Sequence, residues 1–120
     1  MEYKQLILSG GNRFNFPGDV SISERTFCFN NRFKARFEIK KYISFYVNAD
    51  RDLCFKFFDE RGIGRFAVSD SGVYHTRMLR PPKALVEHGL QFGKFNCHRE
   101  DDGFFVIEGC KIPEETYQKL

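Results

Sequence analysis

The sequence predicts a mainly β protein with short helices (a β-rich α+β class), a small pseudo-twofold barrel built from two strand–helix–hairpin halves. Three observations support this class. Phenylalanine dominates the aromatic residues, with 15 Phe and 5 Tyr but no Trp, and it favours strands and buries a large area. Apolar and polar residues alternate over several short runs, as half-buried strands require. The chain has 120 residues, which suits a single domain covering 1–120 and is too short for two independent cores.

The N-terminal segment, residues 1–19, predicts a strand followed by a loop. Residues 1–9 contain only a three-residue apolar stretch, Leu6–Leu8, so they indicate a strand and not a signal peptide. Breaker residues at 10–12 and 16–19 predict the loop. No apolar run approaches the roughly 20 residues that a membrane span requires. We therefore expect a cytoplasmic protein without a membrane partner.

The first half, residues 20–60, predicts a strand at 20–29, a short helix and a β-hairpin. Asn30 and Asn31 are suited to capping the helix, which places Phe33 and Phe37 on one face. Residues 42–47 and 53–58 then alternate around the turn residues 48–52. This pattern predicts a hairpin with Ile43, Phe45 and Val47 on one face and Tyr42, Ser44 and Tyr46 on the other.

The second half, residues 61–110, predicts the same order of elements. A hairpin is expected over 65–78 with its turn at Ser69–Gly72, followed by a helix at 83–88 that ends at Gly89. A last hairpin pairs 93–98 with 104–108. Residues 111–120 form a terminal helix that begins at Pro113.

The two halves align as a repeat with an offset of about fifty residues. In this alignment Ile39 matches Leu90, Phe45 matches Phe95, and Val47 matches Cys97. The alternative is that two hairpins with similar spacing arose by chance. We favour the repeat.

Four cysteines, Cys28, Cys54, Cys97 and Cys110, are scattered and form no C-x-x-C pair. We interpret them as reduced residues that are mostly buried as small hydrophobes, although two disulfides are the alternative for a secreted chain. The three histidines are far apart, so no spacing resembles a zinc site and we expect no metal or cofactor. No constellation of residues indicates an enzyme, and a Cys–His pair that meets only in the fold is the alternative left open.

Charge is distributed unevenly although the net charge is only +3. Residues 24–41 contain six basic and two acidic residues, and residues 61–83 contain five basic and one acidic residue, so each segment carries +4. Residues 100–120 contain six acidic and two basic residues and carry −4. Two basic segments and one acidic end predict a polarised surface.

The order of elements resembles the swapped-hairpin AbrB family of DNA-binding regulators and antitoxins, which has a strand, a short helix, a Leu-Gly-Ile-like exit and a hairpin. The pattern lies at 25–57 and again at 74–107. The second half keeps the family's proline, at Pro81 or Pro82, and its glycine, Gly89; the first half lacks both. Two such halves in one chain resemble cradle-loop or double-psi barrels. A weaker resemblance is to whirly or coactivator-type single-stranded DNA binders.

These resemblances imply a nucleic-acid partner, DNA in preference to RNA, and a monomeric pseudo-dimer or a homodimer. We predict binding at two basic strand-to-helix corners, because phosphates require cations and bases stack on aromatic rings. The predicted nucleic-acid-binding residues are Arg25, Arg32, Lys34, Arg36, Lys40, Lys41, Tyr42, Tyr46, Arg77, Arg80 and Lys83. The alternative is that these cations are solvated and cover apolar area.

Two positions interrupt the alternation, so an aromatic side chain there could face outward; burial in a barrel covered at both ends is the alternative that we favour. These positions are Phe58 and the pair Phe104-Phe105. Such an aromatic could stack a base or contact a protein. The predicted function is a non-enzymatic nucleic-acid-binding module of the transcription-regulator or antitoxin kind. The alternative is a small protein-interaction or inhibitory protein, of the kind that phages encode, acting through an exposed aromatic patch or a strand edge.

Overall fold

The computed structural model describes residues 18–71 and 76–119, which form two five-stranded antiparallel sheets and three short helices. The strands are β1 Val20–Ile22, β2 Phe27–Phe29, β3 Tyr42–Val47, β4 Asp52–Phe58, β5 Phe66–Ala67, β6 Ser69–Ser71, β7 Thr76–Leu79, β8 Gly93–Phe95, β9 Cys97–Arg99 and β10 Phe104–Lys111; the helices are α1 Asn31–Arg36, α2 Lys83–Glu87 and α3 Glu114–Gln118. The predicted class, mainly β with short helices, is confirmed. The strand predicted at residues 1–9 lies outside the described residues.

The first sheet has the strand order β6-β7-β2-β1-β8, and the second has the order β5-β3-β4-β10-β9. Every pairing between these strands is antiparallel. Within the described ranges each sheet has two different edge strands, so neither closes on itself into a barrel. The fold is therefore two open sheets that share one core.

Phenylalanine rings fill the space between the sheets. Phe27 and Phe29 of the first sheet contact Phe55 of the second, with ring centroids 6.1 and 5.7 Å apart. Phe33 of α1 packs into the same cluster, and Phe55 stacks on Phe105 at 5.1 Å with the ring planes 10° apart. All five rings are buried. Each fully buried ring contributes about 1.5–3 kcal/mol, which explains how a chain of this length forms a stable core.

Helix α1 begins at Asn31 and presents Phe33 to the core, as the sequence predicts. The Phe33 and Phe37 rings, one turn apart, lie 5.0 Å from each other. The predicted capping role of the Asn30 side chain is wrong, because that side chain makes no cap hydrogen bond. Its amide instead donates to Ser21 Oγ at 3.1 Å and to the Gly18 carbonyl at 3.4 Å. Asn30 therefore ties the start of α1 to β1.

Three predicted elements have different bounds in the structure. The strand expected at 20–29 is the hairpin β1–β2, because Ser23 and Thr26 close a tight turn in which Ser23 N donates to Thr26 O at 2.8 Å. The turn expected at Ser69–Gly72 is wrong, since Ser69–Ser71 pair with β7 as strand β6. The strand expected at 93–98 is divided between β8 in the first sheet and β9 in the second.

The other predicted elements are confirmed. Strands β3 and β4 pair from Tyr42↔Phe58 to Val47↔Leu53, which is the predicted hairpin. Helix α2 is followed by Gly89 at φ +88°, the left-handed conformation expected at a helix exit. Helix α3 follows Pro113 and has acidic residues in its first turn.

Two segments of the chain, residues 20–58 and 66–111, each contain a hairpin, a short helix and a second hairpin, and the later segment has two further strands, β5 and β8. Hairpin β1–β2, helix α1 and hairpin β3–β4 are followed by hairpin β6–β7, helix α2 and hairpin β9–β10. The segments meet at the centre of both sheets, where β2 pairs with β7 and β4 pairs with β10. The residue match of Phe45 with Phe95 is wrong, because Phe95 lies in the first sheet and Phe45 in the second.

All four cysteines are free thiols. Cys54, Cys97 and Cys110 are buried and Cys28 is half-buried, which agrees with their interpretation as small hydrophobes. Burial raises the pKa of Cys97, and burial raises the pKa of Cys110 to about 12. These two thiols are therefore protonated near neutral pH, the opposite of an activated nucleophile.

Candidate nucleic-acid interface

Arg32 and Arg36, two cations predicted at the first corner, lie beside a buried carboxylate. The Asp19 side chain is fully buried, Arg36 donates a hydrogen bond to its Oδ1, and Arg32 Nε lies 3.7 Å from the same oxygen. The other oxygen, Oδ2, accepts a hydrogen bond from the backbone N–H of Cys97 at 2.6 Å. A buried carboxylate is costly unless it is paired. These arginines therefore stabilise the fold, and the single Asp19 carboxylate offsets one of their two positive charges.

Asp19 owes its position to the backbone around it. Its N–H donates to Phe95 O at 2.7 Å, and its carbonyl accepts from Asn30 N at 2.9 Å. The residue thus joins β1, the start of α1 and the crossing between β8 and β9. Sequence analysis assigned Asp19 to a loop, and no local signal distinguishes a buried aspartate from a turn aspartate.

The remaining cations of the first segment differ in their surroundings. Lys40 Nζ lies 3.6 Å from Asp59 Oδ2, and Arg77 Nη2 donates to the Lys40 carbonyl at 3.0 Å. Lys34 is half-buried, whereas Lys41 is exposed. Arg25 is exposed on the β1–β2 turn. Lys34 and Arg77 line one shallow groove together with Glu38 and Asp70, so three of the predicted cations, Lys34, Lys40 and Arg77, form a cluster of mixed charge.

The second corner combines both charges. Arg80 and Lys83 are exposed and line a shallow groove together with Glu24 and Glu87. Lys83 Nζ lies 3.7 Å from Glu87 Oε1, one helical turn away. Two acids therefore accompany two cations at this corner, and its net field is weak.

Tyr42 and Tyr46 lie on the side of the second sheet that faces away from the core. Their neighbours in β3, Ile43 and Phe45, pack into the core or against it. The strand register carries this outward side across the sheet, with Tyr42 opposite Phe58, Ser44 opposite Lys56, and Lys56 opposite Phe104. We call this surface the aromatic face; it comprises Tyr42, Tyr46, Phe58 and Phe104 with the cations Lys56, Arg61 and Arg65.

Cation and ring contacts connect the members of the aromatic face. The rings of Tyr46 and Phe104 meet edge to face, with centroids 5.0 Å apart. Lys56 Nζ lies 5.0 Å from the Phe104 centroid and 5.8 Å from the Phe58 centroid. Cations at these distances are attracted to the negative face of the ring. Tyr46 remains 40% exposed, so the face offers an accessible ring beside a positive charge.

The loop between β4 and β5 folds back over one half of this face. The Arg65 guanidinium carbon lies 3.6 Å from the Phe58 centroid, and Arg61 Nε donates to the Tyr42 hydroxyl at 3.2 Å. Ser44 Oγ, which is buried, donates to the Gly64 carbonyl at 2.8 Å. The loop therefore covers the Tyr42–Phe58 pair and leaves the Tyr46–Phe104 pair open.

An acidic border lies at the β9 edge of the second sheet. His98 Nε2 lies 2.9 Å from Glu100 Oε1, and His98 Nδ1 lies 3.2 Å from Glu108 Oε1. Hydrogen bonds to Glu100 and then to Glu108 raise the pKa of His98 despite slight desolvation. Glu100 and Glu108 thus lie at the β9 edge of the sheet, whereas Arg61 and Arg65 lie in the β4–β5 loop together with Asp59 and Glu60.

Of the predicted site residues, the aromatic face contains only Tyr42 and Tyr46. Lys56, Phe58 and Phe104 join them because of strand alternation and register. The outward position of Phe104 and the inward burial of Phe105 resolve the irregular alternation noted in the sequence. Arg61 and Arg65 belong to the basic segment 61–83, but their contacts with Tyr42 and Phe58 could not be predicted, because these contacts depend on how a glycine-containing loop folds back.

Within 18–71 and 76–119, no helix has the length and apolar composition needed to cross a membrane. No group of three or more metal-binding side chains comes together in those same stretches. Comparison of the chain with known protein families, curated proteins and solved structures finds no match. The functional interpretation therefore depends on the chemistry of the aromatic face itself.

Proposed function

We propose that this chain is a non-enzymatic nucleic-acid-binding module and that it binds unpaired strands on its aromatic face. The observation that carries the proposal is the exposed Tyr46 ring packed against Phe104, with Lys56 Nζ 5.0 Å from the Phe104 centroid. A base can stack on the open ring while the ammonium group contacts a phosphate. This pairing of ring and cation is the minimum that single-strand binding requires.

Stacking supplies the affinity in this proposal. Each base–aromatic stack is worth about 1–3 kcal/mol and tolerates any base, because every base has a flat π surface. Bases in a duplex are already stacked on each other and offer no free surface to Tyr46. The aromatic face therefore favours single strands of DNA or RNA over duplexes.

The predicted basic corners take a secondary role. Arg25, Lys41 and Arg80 are exposed cations whose field attracts a polyanion over distances near the Debye length, about 10 Å at 0.1 M salt. Arg32 and Arg36 contribute less, since they face Asp19. A regulator-like or antitoxin-like role would then depend on single-stranded targets.

Binding to fluorescently labelled oligonucleotides tests the proposal. We expect fluorescence anisotropy to show binding to single-stranded DNA and RNA that is tighter than binding to a duplex of equal length. Affinity should fall linearly with log salt, with a slope near −0.7 for each phosphate neutralised. Lys56→Gln should make that slope less negative by about 0.7, because one phosphate contact is lost. The matched control Lys119→Gln, at the end of α3, should leave the slope unchanged. No binding at low salt would contradict the proposal.

A second candidate is a protein-interaction function, and exposed apolar residues favour it. Phe66 on edge strand β5 is 40% exposed and Phe92 before β8 is 49% exposed. Exposed aromatics and strand edges are common docking elements for proteins. Capture of a partner from lysate that persists after nuclease treatment and high salt would support this candidate, and its loss under those conditions would support the first.

We further propose that the chain is a duplicated unit with pseudo-twofold symmetry, derived from a barrel-like ancestor. The repeated order of hairpin, helix and hairpin supports it, as do the central β2·β7 and β4·β10 pairings. Such a chain would act as a monomeric pseudo-dimer. Its four free thiols suit a reducing compartment such as the cytoplasm.

A further inference from the structure

The tip of the β4–β5 loop exposes an aliphatic side chain between two arginines. Residues 61–65 read Arg-Gly-Ile-Gly-Arg, and Ile63 is fully exposed to solvent. No core packing explains an isoleucine at this position. Transfer of an aliphatic side chain from water to an apolar contact is favourable, so burial of Ile63 by a ligand would be favourable.

The loop holds Ile63 in a defined position. The Gly64 carbonyl accepts a hydrogen bond from the buried Ser44 hydroxyl at 2.8 Å, and Arg65 Nη1 donates to the Glu60 carbonyl at 3.1 Å. A side chain at residue 62 would lie 2.9 Å from Arg65 Cδ, so glycine there lets Arg65 fold across the loop. Gly64 has φ +73°, which favours glycine as well.

The flanking arginines connect this tip to the aromatic face. Arg65 lies over the Phe58 ring, and Arg61 contacts the Tyr42 hydroxyl. Tyr42 and Tyr46 lie on the same side of β3, so a strand that runs from the open Tyr46–Phe104 pair along β3 comes to Arg61 at Tyr42, two residues from Ile63. The charges match such a ligand, because each guanidinium has donors suited to phosphate oxygens.

We propose that Ile63 is a wedge that inserts between two adjacent bases of the bound strand and separates them. The inference rests on the proposed function, because it requires a strand on the aromatic face. Aliphatic side chains of minor-groove-binding proteins insert between base steps of duplex DNA and partly unstack them, at a cost in stacking energy. Here burial of Ile63 and stacking on the aromatic rings would offset that cost. The ligand class is thus a single strand held with one base step opened.

Fluorescence of 2-aminopurine tests the wedge, since this base analogue emits more strongly when it is unstacked. The probe is an adenine-rich DNA strand that carries several 2-aminopurines, and anisotropy of an end label reports binding in the same samples. The variants are Ile63→Ala and, as the matched control, Phe92→Ala. Both change an exposed apolar residue, so folding should be unaffected.

We expect wild type and Phe92→Ala to raise the 2-aminopurine emission on binding. Ile63→Ala should still bind, as anisotropy would show, but the rise in emission should be lost. An equal rise with Ile63→Ala, or no rise with wild type despite binding, would overturn the wedge while leaving the proposed function intact. Absence of any anisotropy change with wild type would overturn both.

Discussion

At the residue scale, the same type of side chain serves two different purposes in this chain. Arg36 faces the fully buried Asp19 carboxylate, whereas Arg65 lies over the Phe58 ring on the outward side of the second sheet. The first contact neutralises a charge that would otherwise be buried alone. The second places a guanidinium over an aromatic ring, a cation–π contact. Position relative to the sheets, and not local charge density, separates the two.

Arg36→Gln should destabilise the fold. Removing the guanidinium leaves Asp19 with a weaker partner, and a hydrogen bond to a charged group contributes about 1.5–3 kcal/mol. Arg32, at 3.7 Å, compensates in part. Urea denaturation should therefore show a loss of about 1–3 kcal/mol. The control Arg25→Gln, on an exposed turn, should change stability by less than about 0.5 kcal/mol; equal effects of the two variants would contradict the assignment.

His98 should make stability depend on pH. Its pKa is raised in the folded state by Glu100 and Glu108. The folded protein therefore binds the proton of His98 more tightly than the unfolded chain does, and protonation stabilises the fold. This contribution is complete below the ordinary histidine value of 6.5 and is lost as pH rises through the higher folded value. His98→Gln should therefore cost more stability at pH 5.5 than at pH 8.5. An equal loss of stability at both pH values in urea titrations would argue against the contacts of His98 with Glu100 and Glu108.

Alternation allowed part of the aromatic face to be predicted from sequence. It placed Tyr42 and Tyr46 on a common side of β3 and left Phe58 and Phe104 as outward candidates. The balancing of Arg32 and Arg36 by Asp19 could not be predicted, because these contacts join residues 13 and 17 positions apart through tertiary packing. The contact of Arg65 with Phe58 could not be predicted from the sequence either, because it depends on the backbone conformation of Gly62 and Gly64.

At the element scale, regular strands were predictable where period and turn residues agreed. Hairpin β3–β4 has clear alternation and a turn rich in Asn and Asp, and its bounds match the structure closely. Residues 20–29 contain no glycine or proline, so the tight turn at Ser23–Thr26 had no breaker to reveal it. Residues 93–98 are divided between two sheets because β8 pairs with β1 and β9 pairs with β10.

Gly18→Ala should disturb the element contact that positions Asp19. Gly18 has φ +87°, and a Cβ there would lie 2.8 Å from the Phe95 carbonyl oxygen, a backbone atom of β8. Gly109→Ala is the matched control, because Gly109 has φ +79° but open space around it. The control should lose about 1–2 kcal/mol from the left-handed backbone alone. Gly18→Ala should lose about 1–3 kcal/mol more, and equal losses in thermal or urea unfolding would contradict the contact.

At the scale of the whole molecule, the two segments complete each other's sheets. The central strands β2 and β7 come from different segments, as do β4 and β10, and Phe55 stacks on Phe105 across the second junction. The fold class followed from composition and alternation. The two open sheets did not, because strand order depends on pairings between residues fifty positions apart.

Separate fragments 1–60 and 61–120 should therefore be unfolded alone. Among the described residues, fragment 1–60 holds five of the six buried phenylalanines and fragment 61–120 holds only Phe105. Each fragment would therefore expose core residues, and each would lack the neighbour of its central strands. Mixing the two should restore the circular dichroism spectrum of the intact chain and cooperative melting. A fragment that melts cooperatively by itself would contradict this dependence.

The central claim is that Tyr46 on the outward side of the second sheet stacks a base of an unpaired strand. Anisotropy titrations of Tyr46→Ala and Tyr46→Phe with one labelled single-stranded oligonucleotide test it most directly. Loss of one stack, about 1–3 kcal/mol, corresponds to a loss in affinity of about 5- to 150-fold. We predict that loss for Tyr46→Ala and near wild-type affinity for Tyr46→Phe, which keeps the ring. A folded Tyr46→Ala variant that binds the oligonucleotide with wild-type affinity would contradict the proposed stacking.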